Sequence, residues 1–272
     1  MPHLTHSQRY LQRLGYDAPP PPTLQTLQAL QLRHVCTFAF ESLSTLMHLP
    51  VPIDLASVEQ KVLFDGRGGY CYELNQMFLA LLQALGFEAR GITGWVVMGG
   101  PPDVRTGRTH RLSLVTLDGV SYITDVGFGG MVPSSPLRLD TEAPQATAHE
   151  PYRLTHHEGQ YTLWAQVAEE WRGLYVFDLQ EQVAIDYEIG NWYVSTHPGS
   201  TFVGQLKAAL LAPGKRYTLN NTNYAVHSLD QPSEKRTLDS ADELLALLGD
   251  TFGLRVAQLP ALRTALEGLL QA

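Results

Sequence analysis

Cys71, His110 and Asp125 are the residues of this 272-residue chain whose types and order could carry chemistry. A thiol attacks a carbonyl carbon as its thiolate, a neighbouring base must take its proton, and a carboxylate can fix the tautomer of that base. Cys71 follows Gly66-Arg67-Gly68-Gly69 and opens a stretch with Leu74, Phe78, Leu81, Leu82 and Leu85 on one helical face, closed by Gly86. The sulfur then sits at a helix N-terminus, where unpaired backbone N–H groups favour an anion, and the glycines let the backbone turn sharply beneath it. A lone cysteine is more commonly a small core residue. The glycine loop and the helix start favour a nucleophile.

His110 opens the run His-Arg-Leu-Ser-Leu-Val-Thr-Leu, which meets Val-Ser-Tyr-Ile-Thr-Asp-Val across Asp118-Gly119, a strong two-residue hairpin signal. With that turn Leu117 faces Val120, Leu112 faces Asp125 and His110 faces Gly127. His110 and Asp125 become diagonal neighbours on one face, roughly 7 to 8 Å apart at the backbone. That face also carries Leu112, Leu114 and Ile123, as an inward face should. A three-residue loop would shift the register and leave an unrelated histidine and aspartate.

The elements that must position these groups read as α+β. Residues 1 to 90 are helical: 5 to 14, a proline spacer at Pro19 to Pro22, a helix from Leu24 capped by Thr23, and the helix of Cys71. From Arg90 to about residue 200 the texture is that of short strands rich in Val, Ile, Thr, Tyr and Trp. Residues 201 to 272 mix classes, with a helix near 201 to 211, a hairpin through Arg216 to His227 turning at Asn220 to Asn223, and helices near 240 to 248 and 260 to 270, Pro260 suiting a first turn. The three segments 1–90, 91–200 and 201–272 are the expected domains.

The formal charge of −8 argues against nucleic acid or anionic membrane as partner. The N-terminal residues lack the pattern of a secretion signal and no run of 18 apolar residues follows, so the chain is expected in the cytoplasm with Cys36 and Cys71 as thiols. No Walker loop, H-E-x-x-H or paired C-x-x-C occurs, and no metal is expected. His156-His157-Glu158 reads as solvated surface, because adjacent strand residues point opposite ways. Gly127-Phe128-Gly129-Gly130 is followed by no helical pattern, unlike a dinucleotide fingerprint.

Arg67-Gly68-Gly69-Tyr70-Cys71-Tyr72-Glu73-Leu74-Asn75 resembles the active-site segment of the arylamine N-acetyltransferases. Thr109-His110 and Asp125-Val126-Gly127-Phe128-Gly129 resemble that family's histidine and aspartate segments in the same order. Phe40-Glu41-Ser42-Leu43 is similar to its N-terminal motif, with Ala39 and Ser42 in place of the usual proline and asparagine, and Ser195-Thr196-His197-Pro198 to a later one. Arg111 stands where an apolar residue is commoner. The resemblance implies an N-terminal helical bundle, a central β-barrel and a C-terminal α/β lid around a cysteine-protease-like core. It also implies ping-pong transfer of acetyl from acetyl-CoA, through Cys71, to an arylamine or arylhydrazine nitrogen. By the same resemblance Phe40, Val96, Val97 and Phe128 line the acceptor pocket, and Gly127 and Phe202 contact CoA. An amide synthase acting on a carrier-bound polyketide, a Cys-His-Asp hydrolase and a non-enzymatic binding module are the alternatives.

Overall fold

The computed structural model of the chain describes residues 4–100, 106–229 and 231–271. Helices α1 (Ser7–Arg13) and α2 (Leu24–Thr37) bracket the proline run, and Thr23 caps α2 by accepting the Thr26 N–H at 3.2 Å. A two-residue strand β1 (Phe40–Glu41) leads to α3 (Leu43–Leu46) and α4 (Leu55–Glu59), a wide π-type turn at Gln60–Phe64, and α5 (Cys71–Ala84). Leu74, Phe78 and Leu81 of α5 pack with Leu27, Leu30, Val58 and Val62 in one apolar cluster, so this helix is buried by its neighbours and presents only its start to the site. Gly86, at φ +88°, provides the left-handed exit.

Seven antiparallel strands follow: β2 (Glu88–Val96), β3 (His110–Leu117), β4 (Val120–Thr124), β5 (Leu137–Arg138), β6 (Tyr152–His157), β7 (Gln160–Val167) and β8 (Glu170–Phe177), in the order β5-β4-β3-β2-β8-β7-β6. Gln145 links the two edges: its side chain accepts the Arg138 N–H at 2.8 Å, and its backbone exchanges hydrogen bonds with Tyr152. The sheet is thereby nearly closed into a barrel around Ile92, Leu112, Leu114, Ile123, Leu163 and Phe177. Strands β3 and β4 pair from Leu117↔Val120 to Ser113↔Thr124, the register the Asp-Gly turn demands. Asp118 and Gly119 lie at φ +51° and +77°, as the tight primed turn requires.

Beyond the barrel lie α6 (Ala184–Thr196), strands β9 (Lys207–Ala212), β10 (Lys215–Asn220), β11 (Asn223–Ser228) and β12 (Glu234–Thr237), and helices α7 (Ala241–Asp250) and α8 (Pro260–Gln271). Hairpin β10–β11 turns at the Asn-rich stretch and Pro260 opens α8, both as expected. Two elements depart from expectation. Residues 207–212 form a strand and no helix occupies 201–211, because Lys207–Ala212 is sandwiched between β1 and β10, and a short apolar run buried on both faces has no period to read. The β texture expected up to residue 200 ends at Phe177; α6 follows, its Ile, Tyr, Trp and Val content favouring strand by propensity.

Pairing of Phe40 with Ala209 joins the first strand to the last sheet. Ser42 fastens the same junction: its Oγ accepts the Lys207 N–H at 2.8 Å and donates to the Gln205 carbonyl at 2.9 Å. Among the described residues no helix is long and apolar enough to cross a membrane.

Candidate active site

The loop before Cys71 is held by buried charge. Arg67 reaches Glu41 at 2.7 Å, and Lys61 bridges Glu41 at 3.6 Å and Glu73 at 2.6 Å. Burial opposes ionisation of Glu41, but the Arg67 and Lys61 charges outweigh it and hold this carboxyl below its ordinary range. Glu73 caps α5 by accepting the Tyr70 N–H at 3.0 Å. Gly68 lies so close to β1 that any Cβ would overlap the Ala39 carbonyl oxygen. These constraints deliver Cys71, 5% exposed, as the first residue of α5.

His110 at the start of β3 and Asp125 just past the end of β4 meet as the register requires: Nε2 of His110 lies 2.7 Å from Oδ2 of Asp125. Cys71 is beside the same imidazole, being among the groups that raise His110, and its thiol donates to the carbonyl of the adjacent Thr109 at 3.7 Å. All three residues therefore converge. Burial works against a charged imidazole, yet the Asp125 charge and hydrogen bond, with those of Cys71, raise His110 to about 10. Burial likewise opposes ionisation of Asp125; His110, Asn75 and the Gly127 N–H prevail and hold its carboxyl below the ordinary value. The imidazole also packs edge-on against Phe128, ring centres 5.0 Å apart, and against Tyr175 at 4.7 Å.

Asn75 carries more of this geometry than its type suggests. One turn after Cys71 on α5, its Nδ2 donates to Oδ1 of Asp125 at 2.9 Å and to the Arg111 carbonyl at 2.6 Å, while its Oδ1 accepts the Val126 N–H at 3.0 Å. The helix that presents the sulfur thus also orients the carboxylate. Its one mark in the sequence is the spacing of four from Cys71, which puts it on the sulfur's face of a helix that also carries Glu73, Gln76 and Gln83.

The remaining expected residues fall in four places. Phe40 and Phe202 face each other at 6.1 Å, and Phe202 meets Tyr70 at 5.8 Å, so both border the cluster that contains Cys71. Phe128 stands over His110, and Val96, two residues from the position paired with His110, lies on its face of the sheet. Val97 lies beyond the strand end with its side chain toward Gly173. Gly127 is packed against α5, where a Cβ would come within 2.7 Å of the Cys71 Cα and 2.9 Å of Asn75 Nδ2. His156 stacks on Tyr161 and the His157 side chain is 88% exposed, and no group of His, Cys, Asp and Glu among the described residues is arranged to hold a metal.

Comparison with known proteins bears on this arrangement. Residues 23–260 match the model of an N-acetyltransferase family. The chain is 41% identical over 254 residues to an arylamine N-acetyltransferase of Mycolicibacterium smegmatis, covering 92% of each protein, and 36% identical to one of Escherichia coli, covering 94% of this chain and 90% of that one. Its fold superposes with a TM-score of 0.91 on the Mycobacterium marinum arylamine N-acetyltransferase solved in complex with CoA, at 39% identity over 96% of this chain and 98% of the other. With this likeness in sequence and in fold along nearly its whole length, the chain belongs to the arylamine N-acetyltransferase family.

Proposed function

We propose that the protein transfers acetyl from acetyl-CoA to the nitrogen of an arylamine or arylhydrazine by a ping-pong route through a Cys71 thioester. The observation that carries this is the convergence of Cys71, at the first position of a helix, on a His110 that Asp125 holds at 2.7 Å. In this reading His110 keeps Cys71 as thiolate, and the sulfur attacks the acetyl carbonyl. The bond to the departing thiolate breaks, and that thiolate takes the His110 proton. The arylamine nitrogen then attacks the Cys71 thioester, gives its proton to His110, and the thiol is regenerated.

The Tyr70 carbonyl accepts the Glu73 N–H at 3.1 Å, and the Cys71 and Tyr72 N–H groups ahead of it serve as the oxyanion donors, each worth about 3–4 kcal/mol where such donors have been removed from other enzymes. Phe40, Phe128 and Val96 supply the apolar wall for an aromatic acceptor, with Val97 at its margin and Gly127 and Phe202 on the cofactor side. A cleft of about 540 Å³ beside Gly130 and Met131, which also holds Arg172 and His227, offers donors for the phosphates of CoA.

Incubation with acetyl-CoA and no amine should give one acetyl adduct by intact mass, mapped to Cys71 by peptide digestion. Arylamine should discharge it much faster than water. Absence of the adduct sinks the proposal, and fast discharge by water alone makes the protein a hydrolase.

A further inference from the structure

Among the described residues, Arg111 is a buried cation with no carboxylate beside it. Its residue is 4% exposed, no ion pair or side-chain hydrogen bond to it is found among the described residues, and its buried Nε has no acceptor. The guanidinium lies over the Tyr187 ring of α6, 3.9 Å from its centre, and Tyr187 packs in the same cluster as Cys71 and Tyr72. Leaving a charge unpaired in a protein interior costs several kcal/mol unless something nearby balances it. Its own backbone carbonyl is gripped by Asn75, so β3 cannot swing the side chain away without disturbing Asp125.

The charges around Cys71 show what is missing a partner. Ionisable groups surround Cys71 and its His110–Asp125 pair from α5 (Tyr72, Glu73), the preceding loop (Tyr70), β3 (Arg111), β8 (Tyr175, against His110) and α6 (Tyr187). Burial raises all four tyrosines, which stay neutral phenols, and Glu73 is satisfied by Lys61. In the thiolate form that the proposed route uses, the sulfur, the imidazolium and the Asp125 carboxylate sum to one net negative charge. After acetylation the sulfur is neutral, His110 has surrendered its proton, and one negative charge on Asp125 still remains. Arg111, which burial lowers only to about 10 and leaves cationic at neutral pH, is the described buried cation beside the triad without a carboxylate of its own.

We propose that Arg111 is a positioning residue of electrostatic kind, the fixed positive charge that balances the buried triad in both its free and its acetylated state. This rests on the acetyl-cysteine reading above and extends it.

The test compares Arg111→Met, Arg111→Lys and the unaltered protein by the pH dependence of Cys71 alkylation with iodoacetamide and by NMR titration of the His110 ring proton. In Arg111→Met the acid limb of alkylation should move up by about one pH unit, a roughly tenfold slower reaction on that limb, and the His110 midpoint should rise as well. Arg111→Lys should restore most of both. Superimposable pH profiles with only a lower melting temperature would make Arg111 a packing residue and overturn the proposal. Should the methionine variant fail to fold, Arg111→Gln carries the same comparison, and unchanged profiles there overturn it equally. An acetyl adduct on unaltered Cys71 alongside unchanged profiles separates this failure from failure of the acetyl-cysteine chemistry.

Discussion

His110 is where the chemistry of single residues is most exposed to measurement. Its folded value is raised above the ordinary 6.5 to about 10, so its charged form stabilises the fold fully below pH 6.5 and loses that contribution as pH climbs toward 10. Asp125 is shifted the other way, and its contribution is present above the ordinary carboxyl range and lost as pH falls through the depressed value. NMR should find His110 protonated at pH 8, and Asp125→Asn should drop its midpoint to 6.5 or below, since burial is then opposed only by Cys71. A midpoint near 6.5 in the unaltered protein would contradict the shift. Asn75→Ala should slow acetylation by roughly 10- to 100-fold, the loss typical of an outer partner that orients a reactive group, with little change in KM. Cys71→Ser should cost on the order of 10⁴-fold or more in turnover. Cys71, His110 and Asp125 were legible in the sequence because each carries a chemical type and a local frame: a glycine loop, a strand start, a turn of known length. Asn75 and Arg111 carry no such frame, because an amide and a guanidinium declare themselves only through which atoms lie opposite them, and those come from elements remote in sequence.

At the scale of elements, legibility followed periodicity. The Asp118-Gly119 hairpin and α5 had a fixed turn and a clean apolar stripe, and both formed with the expected register and boundary. Strand β9 escapes a reading by period because burial on both faces erases alternation, and α6 because Ile185, Ile189 and Trp192 point outward and blur the contrast between its faces. The close approach of the Cys71 loop to β1 is equally invisible in sequence, though Gly68 is its trace. A Gly68→Ala substitution must push the loop off the Ala39 carbonyl, at a cost of about 1–3 kcal/mol. The melting temperature should fall on the order of 5 °C and Cys71 alkylation should slow, because the sulfur shifts relative to His110. Unchanged alkylation would show that the loop relaxes without moving the helix start.

Across the whole molecule, the packing does not respect chain order. Ala39, Leu43 and Leu46 from the first helical stretch share a cluster with Leu206, Ala208, Leu244, Leu262 and Leu266, while Leu211 from β9 is buried among α2, α5 and their neighbours. The β1–β9 pairing and the Ser42 clamp tie the same two ends. Removing residues 205–272 would therefore strip apolar cover from β1 and α3 and take Leu211 out of the cluster that buries α5, beyond simply shortening the chain. On this ground the protein should unfold by calorimetry in one transition, with equal van't Hoff and calorimetric enthalpies, and a chain ending at residue 204 should lack a cooperative transition and form no Cys71 adduct. Two resolved transitions, or an active fragment, would mean that the helical part and the last sheet are separately stable. In that event the shared clusters would contribute far less than the roughly 25 cal/mol per Å² that buried apolar area ordinarily supplies.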